Sequence, residues 1–185
     1  DAGDLGWRAV EGWGGLVQPL WTETELERVV VGSYRTYSKP ATYLTRRAEV
    51  SAPGWSGDVP GLVSWGAAMG EACVPAGHSA GPDDLAVIPY SSGTTGAPKG
   101  CMHTHRSVMA TAVHRVFWNL STQNSVQLAT LPFFHVTGMT GSMNGPIYCG
   151  ATSVIMTRWD RTTASRLIER YKVTGWTNIV TMAVD

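Results

Sequence analysis

The chain has 185 residues, of which 43% are hydrophobic, so it has enough length and apolar content for a buried core. Lys plus Arg and Asp plus Glu both number 14, and the resulting net charge of zero argues against a nucleic-acid-binding protein. No apolar run of the sequence could span a bilayer, and the first residues lack the basic and apolar regions of a signal peptide. The three cysteines lack Cys-x-x-Cys spacing. Together these features lead us to expect a cytoplasmic location.

The first 82 residues are weakly patterned and rich in glycine and tryptophan. Apolar spacing predicts a helix from Thr22 to Val31, and residues 51–61 are expected to form a Pro/Gly-rich loop. A short helix is predicted from Ala67 to Cys73. The early tryptophans favour core positions, with peripheral membrane contact as an alternative; they are Trp7, Trp13 and Trp21.

Residues 83–185 are more regular, because predicted strands alternate with predicted helices along them. The strands are expected at 85–90, 126–131, 151–156 and 174–180, and the helices at 107–120, after 138, and from a cap at Asp160 or Thr162 to Tyr171. This alternation predicts an α/β fold with a mostly parallel sheet flanked by helices. Ligands of such sheets bind at the carboxyl ends of the strands, where the segment after residue 90 is expected to lie.

That segment, Ser91 to Gly100, consists of glycines, hydroxyl residues, Ala97, Pro98 and Lys99. Glycine lets the backbone adopt positive φ and bring N–H groups close to an anion, while the hydroxyls add donors and the lysine adds a positive charge. The composition therefore suits a polyphosphate. The spacing is not that of the P-loop of nucleoside triphosphatases, because Pro98 stands at the second glycine position and Gly100 replaces the Ser or Thr after the lysine.

The charge distribution also favours an anion site. Between Leu85 and Trp159 there is no Asp or Glu, whereas one lysine, three arginines and four histidines occur there. An acid-free segment keeps the local potential favourable for anions. The same scarcity of acids is equally typical of a buried sheet, so both interpretations stay open.

The string from Tyr90 to Gly100 resembles the phosphate-binding signature of the adenylate-forming enzymes, which include acyl-CoA synthetases, luciferases and peptide-synthetase adenylation domains. Leu131–Gly138, which reads LPFFHVTG, resembles the family's aromatic-histidine motif, and Thr104–Ser107 resembles the sequence that follows the phosphate loop. The likeness covers residues 83–185, interpreted as an AMP-binding α/β core, and residues 1–82 match weakly. Within the family, the chain is most similar to fatty-acyl-CoA synthetases.

The resemblance implies ATP-dependent activation of a carboxylic acid, with a fatty acid favoured, to acyl-AMP, followed by transfer to coenzyme A. It assigns Lys99 and His135 to catalysis and places Ser91 nearest Mg²⁺. A core histidine beside a proline turn is the structural alternative for His135. The residues that would bind ATP phosphates are Ser91, Ser92, Gly93, Thr94, Thr95, Gly96, Pro98, Lys99 and Gly100.

Family motifs that lie further downstream do not occur in the sequence. The chain is therefore expected to form part of the large N-terminal domain, without the remainder of that domain or the small C-terminal domain, and to have little activity alone. The alternative is a non-catalytic nucleotide- or phosphate-binding or interaction module derived from the family. A metal cluster of Cys101, His103 and His105 is not expected, because alternate residues of one short segment rarely converge on one ion.

Overall fold

The structure is a computed structural model that describes residues 6–10, 28–32, 61–74, 77–91, 93 and 96–185. The chain divides into two compact units, Asp1–Gly77 and His78–Asp185. Within the described residues, the longest helix has 14 residues, and none has the length and apolarity needed to cross a membrane.

The first unit contains a three-stranded parallel sheet and a short helix. The strands are β1 (Gly6–Val10), β2 (Arg28–Gly32) and β3 (Leu62–Ser64), in the order β1-β2-β3, and α1 (Trp65–Gly70) follows directly. The hydroxyl of Ser64 caps α1 by accepting the Ala67 N–H at 3.1 Å. The predicted short helix is thus confirmed, although it begins two residues earlier and ends three residues earlier than expected.

The helix predicted from Thr22 to Val31 is wrong over its last turn, because β2 occupies that part of the chain. Three consecutive valines stand there, and β-branched side chains favour the extended backbone. β2 also pairs with a strand on each side, so Val29 and Val31 are buried in the middle of the sheet. Residues 22–27, most of the loop at 51–61 and the side chains of the early tryptophans lie outside the described residues.

The second unit carries the remaining described elements. In chain order these are β4 (Leu85–Val87), β5 (Tyr90–Ser91), β6 (Lys99–Gly100), β7 (His103–Thr104), α2 (His105–Trp118), β8 (Val126–Ala129), α3 (Val136–Gly138), a π-helical segment (Met139–Asn144), α4 (Gly145–Cys149), β9 (Thr152–Ile155), α5 (Arg161–Tyr171), β10 (Gly175–Trp176) and α6 (Val180–Val184). The predicted helix at 107–120 and the strands at 126–131 and 151–156 are confirmed within two residues. The strand predicted at 174–180 is shorter, since β10 ends at Trp176 and α6 begins at Val180.

The core of this unit is a parallel sheet in the order β10-β8-β9. Leu128 of the central strand is fully buried and lies opposite Trp176 on one side and Val154 on the other. Helix α5 begins after Asp160, whose carboxylate accepts the Thr163 N–H at 2.7 Å, so the cap predicted at 160 or 162 is at Asp160. Parallel strands and flanking helices confirm the expected α/β class.

The strand predicted at 85–90 is not a buried member of that sheet. It is split into β4, which pairs antiparallel with β7, and β5, which pairs antiparallel with β6. Leu85 is 52% exposed and Tyr90 is 72% exposed. Pro89 lacks an N–H and cannot donate to a ladder, which accounts for the interruption between the two short strands.

Candidate functional site

The segment Ser91–Gly100 belongs to a β-hairpin, in which β5 and β6 run antiparallel. Ser91 lies opposite Lys99, and the Cys101 N–H extends the pairing by donating to the Pro89 carbonyl at 2.9 Å. The expectation that this segment follows a strand of the parallel sheet is therefore wrong, because the chain reverses and pairs with the strand that it has just left. The consequence is a closed loop with Ser91 and Lys99 side by side at its base.

Both side chains at the base of this loop are accessible. The Ser91 hydroxyl donates to the Lys99 carbonyl oxygen at 3.4 Å, and both residues are exposed. Within the described part of the chain, no carboxylate forms an ion pair with the Lys99 ammonium group. The charge of Lys99 is thus available to an anion. The predicted donors Ser92, Thr94 and Thr95 lie outside the described residues.

Two glycines of the loop occupy positions that other residues would fit poorly. Gly93 has φ of +62°, and a Cβ placed there would lie 3.1 Å from the Ala97 carbonyl oxygen. A Cβ on Gly100 would lie 2.7 Å from the Cγ2 atom of Ile88. Glycine at 93 is therefore favoured by its backbone conformation, and a side chain at 100 would have to displace that of Ile88. Gly96 and Pro98 lie exposed between them.

His135 lies where the chain leaves the parallel sheet and enters α3. It is the N-cap of that helix, and its Nδ1 atom accepts the Thr137 N–H at 3.2 Å. A ring nitrogen that accepts a hydrogen bond carries no proton, so the other nitrogen, Nε2, is the N–H donor of the neutral ring. The ring is exposed, which leaves this donor free for a ligand.

The turn before His135 is fixed by backbone contacts. The His135 N–H donates to the Pro132 carbonyl at 3.2 Å, and Gly138 packs directly on the backbone of Leu131 and Pro132. The turn begins at Thr130, a buried residue at the carboxyl end of β8, whose hydroxyl accepts the indole N–H of Trp176 at 3.0 Å. The predicted turn into a glycine-containing helix is confirmed, and His135 lies just beyond the carboxyl end of a parallel strand, where α/β sheets bind ligands.

Helix α2 is anchored at its start by a cap and an ion pair. The Thr104 hydroxyl accepts the Ser107 N–H at 3.2 Å, so Thr104 is the N-cap of this helix. The Arg106 guanidinium donates two hydrogen bonds of 2.8 Å to Asp83 and holds the pKa of that carboxyl below its ordinary value. Arg106 is therefore engaged in a structural pair.

Near the other end of α2 the structure brings together Arg115, Gly141 and Thr177, which the sequence patterns did not single out. Arg115 is half-buried, packs against Gly141 and hydrogen-bonds to the Thr177 hydroxyl. The only sequence signal for Arg115 was an arginine beside the buried positions Ala112 and Val116 of an otherwise apolar helix face.

Among the described residues, no group of three or more His, Cys, Asp or Glu side chains is arranged to hold a metal ion.

A family model described as AMP-binding enzyme matches residues 23–185. The 4-coumarate–CoA ligase of Pinus taeda is 37% identical over 97 residues, which are 50% of this chain and 18% of that protein. The long-chain-fatty-acid–CoA ligase of Bacillus subtilis (strain 168) is 36% identical over 93 residues, which are 49% of this chain and 17% of that protein. The matched region is thus less than a fifth of these curated relatives' length.

Solved structures extend the likeness over nearly the whole chain. The apo structure of MbtA from Mycobacterium smegmatis gives a TM-score of 0.75 at 22% identity, and covers 97% of this chain and 30% of that one. The O-succinylbenzoate coenzyme A synthetase (MenE) of Bacillus subtilis, in complex with AMP, gives a TM-score of 0.62 at 22% identity. This match covers 96% of this chain and 44% of that chain. At these identities the likeness concerns the fold. Together with the family match, it shows that the chain belongs to the AMP-binding enzyme family.

Proposed function

We propose that this chain supplies the ATP-phosphate site of an acid–CoA ligase, which activates a carboxylic acid as acyl-AMP and passes the acyl group to coenzyme A. The observation that carries the proposal is the hairpin that closes the segment from Ser91 to Gly100, in which Ser91 pairs with Lys99, a lysine that forms no ion pair within the described residues. Both curated relatives described above are named as CoA ligases, which supports this reaction class.

The loop residues fit a polyphosphate. Backbone N–H groups and hydroxyls of the loop would donate to the β- and γ-phosphates, and Lys99 would offset their charge. Ser91, as the first hydroxyl of the loop, would lie nearest Mg²⁺, which supplies further charge neutralisation when bound with ATP. The absence of acids from Leu85 to Trp159 removes a source of repulsion for these anions.

His135 would act on the acid. Its Nε2–H, left as the donor because Nδ1 accepts the Thr137 N–H, would donate to one carboxylate oxygen while the other oxygen faces the α-phosphorus. The carboxylate oxygen forms the new bond to this phosphorus, pyrophosphate leaves, and a thiolate of coenzyme A later displaces AMP from the acyl carbon. A donor is suited to this role because two anions must approach each other.

The test is isothermal titration of MgATP into the chain, its Lys99→Ala variant and a matched Lys172→Ala variant. Lys172 is also an exposed lysine, but it ends α5. Loss of one charge-assisted contact should weaken binding by about 10- to 100-fold in Lys99→Ala, and Lys172→Ala should bind like the parent chain. Equal affinity of all three proteins, or no saturable binding by the folded parent chain, would contradict the proposal.

The identity of the carboxylic acid substrate is a separate prediction. The relatives described above are named for 4-coumarate and for long-chain fatty acids. The motif likeness favours a fatty acid, and this preference stays a prediction. A saturation series of fatty acids of increasing length, titrated in the presence of MgATP, measures it directly.

A further inference from the structure

The guanidinium group of Arg115 lies in an unusual position. A Cβ placed on Gly141 would come within 2.9 Å of Nη2 and 3.0 Å of Nε, so this edge of the group lies directly against the backbone of the π-helical segment. Nη2 donates to the hydroxyl of Thr177, which follows β10. The Nε atom is buried and has no hydrogen-bond partner among the residues that the structure describes.

No described carboxylate compensates this charge. The sequence from Leu85 to Trp159 contains no acid, and Arg115 forms no ion pair within the described residues. Removing a cation from water without a partner is costly, which is why buried charges are normally paired. The arrangement therefore calls for a negative group from outside the described part of the chain.

The carboxyl end of α2 does not provide that group. Its last carbonyls are already occupied, since the N–H groups of Asn119, Leu120 and Ser121 donate to residues 115, 117 and 116 respectively. Long side chains in a helix also point back towards its N-terminus, away from the terminal carbonyls. Arg115 is thus not explained as a cap of its own helix.

A polar cavity of about 370 Å³ lies beside this group. Its lining includes Arg115, Asn119, Ser121, Ser125, Gln127 and Thr177. The carboxamide of Gln127 lies against Gly175 and has no side-chain hydrogen bond within the described residues. Two side chains with unused donors, and no acidic side chain, therefore face one cavity.

We propose that Arg115 and Gln127 form a carboxylate-binding subsite that recognises the second carboxylate of a dicarboxylic acid substrate. This inference rests on the proposed function, which places the reacting carboxylate near His135. Helical backbone runs without a break from the residue after His135 to Gly141, against which the Arg115 guanidinium group packs. The part of the guanidinium group that does not lie against Gly141 would donate charge-assisted hydrogen bonds to the carboxylate, and the carboxamide N–H of Gln127 would add another.

The subsite predicts discrimination against acids with a plain alkyl end, including fatty acids. An alkyl chain in the cavity would displace water from the guanidinium and carboxamide donors without replacing their hydrogen bonds. A second carboxylate would pair with both. The subsite and the fatty-acid preference expected from the motifs thus make opposite predictions, and the titration below distinguishes them.

The experiment titrates α,ω-dicarboxylates of increasing length into the full chain with MgATP present, each against the monocarboxylate of equal carbon number. The parent chain should bind the best dicarboxylate at least about tenfold more tightly than its monocarboxylate partner. Arg115→Gln and Gln127→Leu should lose most of this ratio, and Arg115→Lys should keep part of it. Arg106→Gln is the matched control, since Arg106 lies on the same helix but pairs with Asp83.

A parent chain that binds both acids equally, or binds neither, overturns the subsite without the need for any variant. An undiminished ratio in folded Arg115→Gln, or an equal loss of the ratio in Arg106→Gln, also overturns it. MgATP binding is measured separately in each protein. Its presence without a dicarboxylate preference rejects the subsite alone, whereas its absence in the parent chain rejects the proposed function.

Discussion

Substitution of Gly138 by alanine should destabilise the second unit, although alanine is the better helix former. Gly→Ala inside a helix ordinarily stabilises by about 0.5–1 kcal/mol. A Cβ at Gly138 would lie 2.7 Å from the Leu131 carbonyl oxygen, 2.8 Å from the Pro132 carbonyl carbon, and closer still to the Pro132 carbonyl oxygen. Relief to an ordinary contact of 3.4 Å requires movement of backbone, because every crowded atom belongs to the main chain.

Overpacking of a tight site costs about 1–3 kcal/mol, and rigid backbone neighbours place Gly138→Ala near the upper end, at about 3 kcal/mol. The free energy of unfolding, from urea denaturation followed by circular dichroism, measures this loss. Gly66→Ala in α1 is the control, since a Cβ there meets nothing within 4 Å and should be neutral or slightly stabilising. A Gly138→Ala chain as stable as the parent would refute the packing argument.

Three further predictions concern the contacts that hold the site in place. Thr104→Ala should lower the free energy of unfolding by about 1 kcal/mol because it removes the cap on the Ser107 N–H, whereas Thr104→Ser should not. Arg106→Gln should return the pKa of Asp83 to its ordinary range in an NMR titration. Because the Asp83 pKa is lowered in the folded chain, the ion pair stabilises the fold at pH values above the pKa of the unfolded state. This stabilisation is lost as the pH falls through the Asp83 pKa of the folded chain. Thr130→Val should cost about 1–3 kcal/mol, read from urea denaturation, because it leaves a half-buried indole N–H without its acceptor, and Thr130→Ser should restore most of the loss.

Local signals sufficed for the elements whose stability is local. The helices α2 and α5 have apolar faces at helical spacing, and α5 has its side-chain cap at one of the two expected residues, so their limits are predictable within two residues. The strand β2 is different, because three valines are compatible with either a helix face or a strand. Only its pairing with β1 and β3 decides between them, and pairing depends on residues distant in sequence.

The candidate site also has features that follow from local sequence and features that depend on distant residues. The loop from Ser91 to Gly100 is recognisable from composition and order, but its hairpin geometry depends on the pairing of Tyr90 with Gly100. His135 is recognisable from its motif, and its role as a cap follows from local backbone geometry. Arg115 could not be assigned from the sequence, because its partners Gly141 and Thr177 come from other elements and the π-helical turn leaves no periodic pattern.

Glycine in this chain has two uses that composition alone cannot separate. Gly66 and Gly96 have open space where a side chain would stand, so their substitution is sterically free. At Gly100, Gly138 and Gly141, another atom lies within 3.0 Å of the point where a Cβ would stand. Each of these glycines borders a part of the candidate site. Gly100 pairs with Tyr90 where the loop from Ser91 closes, Gly138 fixes the turn before His135, and Gly141 leaves room for the Arg115 guanidinium group. Their common property is close approach of other groups, which are main-chain atoms at Gly138 and the side chains of Ile88 and Arg115 at Gly100 and Gly141. Alanine should therefore force the backbone to move at Gly138 and a side chain to move at the other two positions.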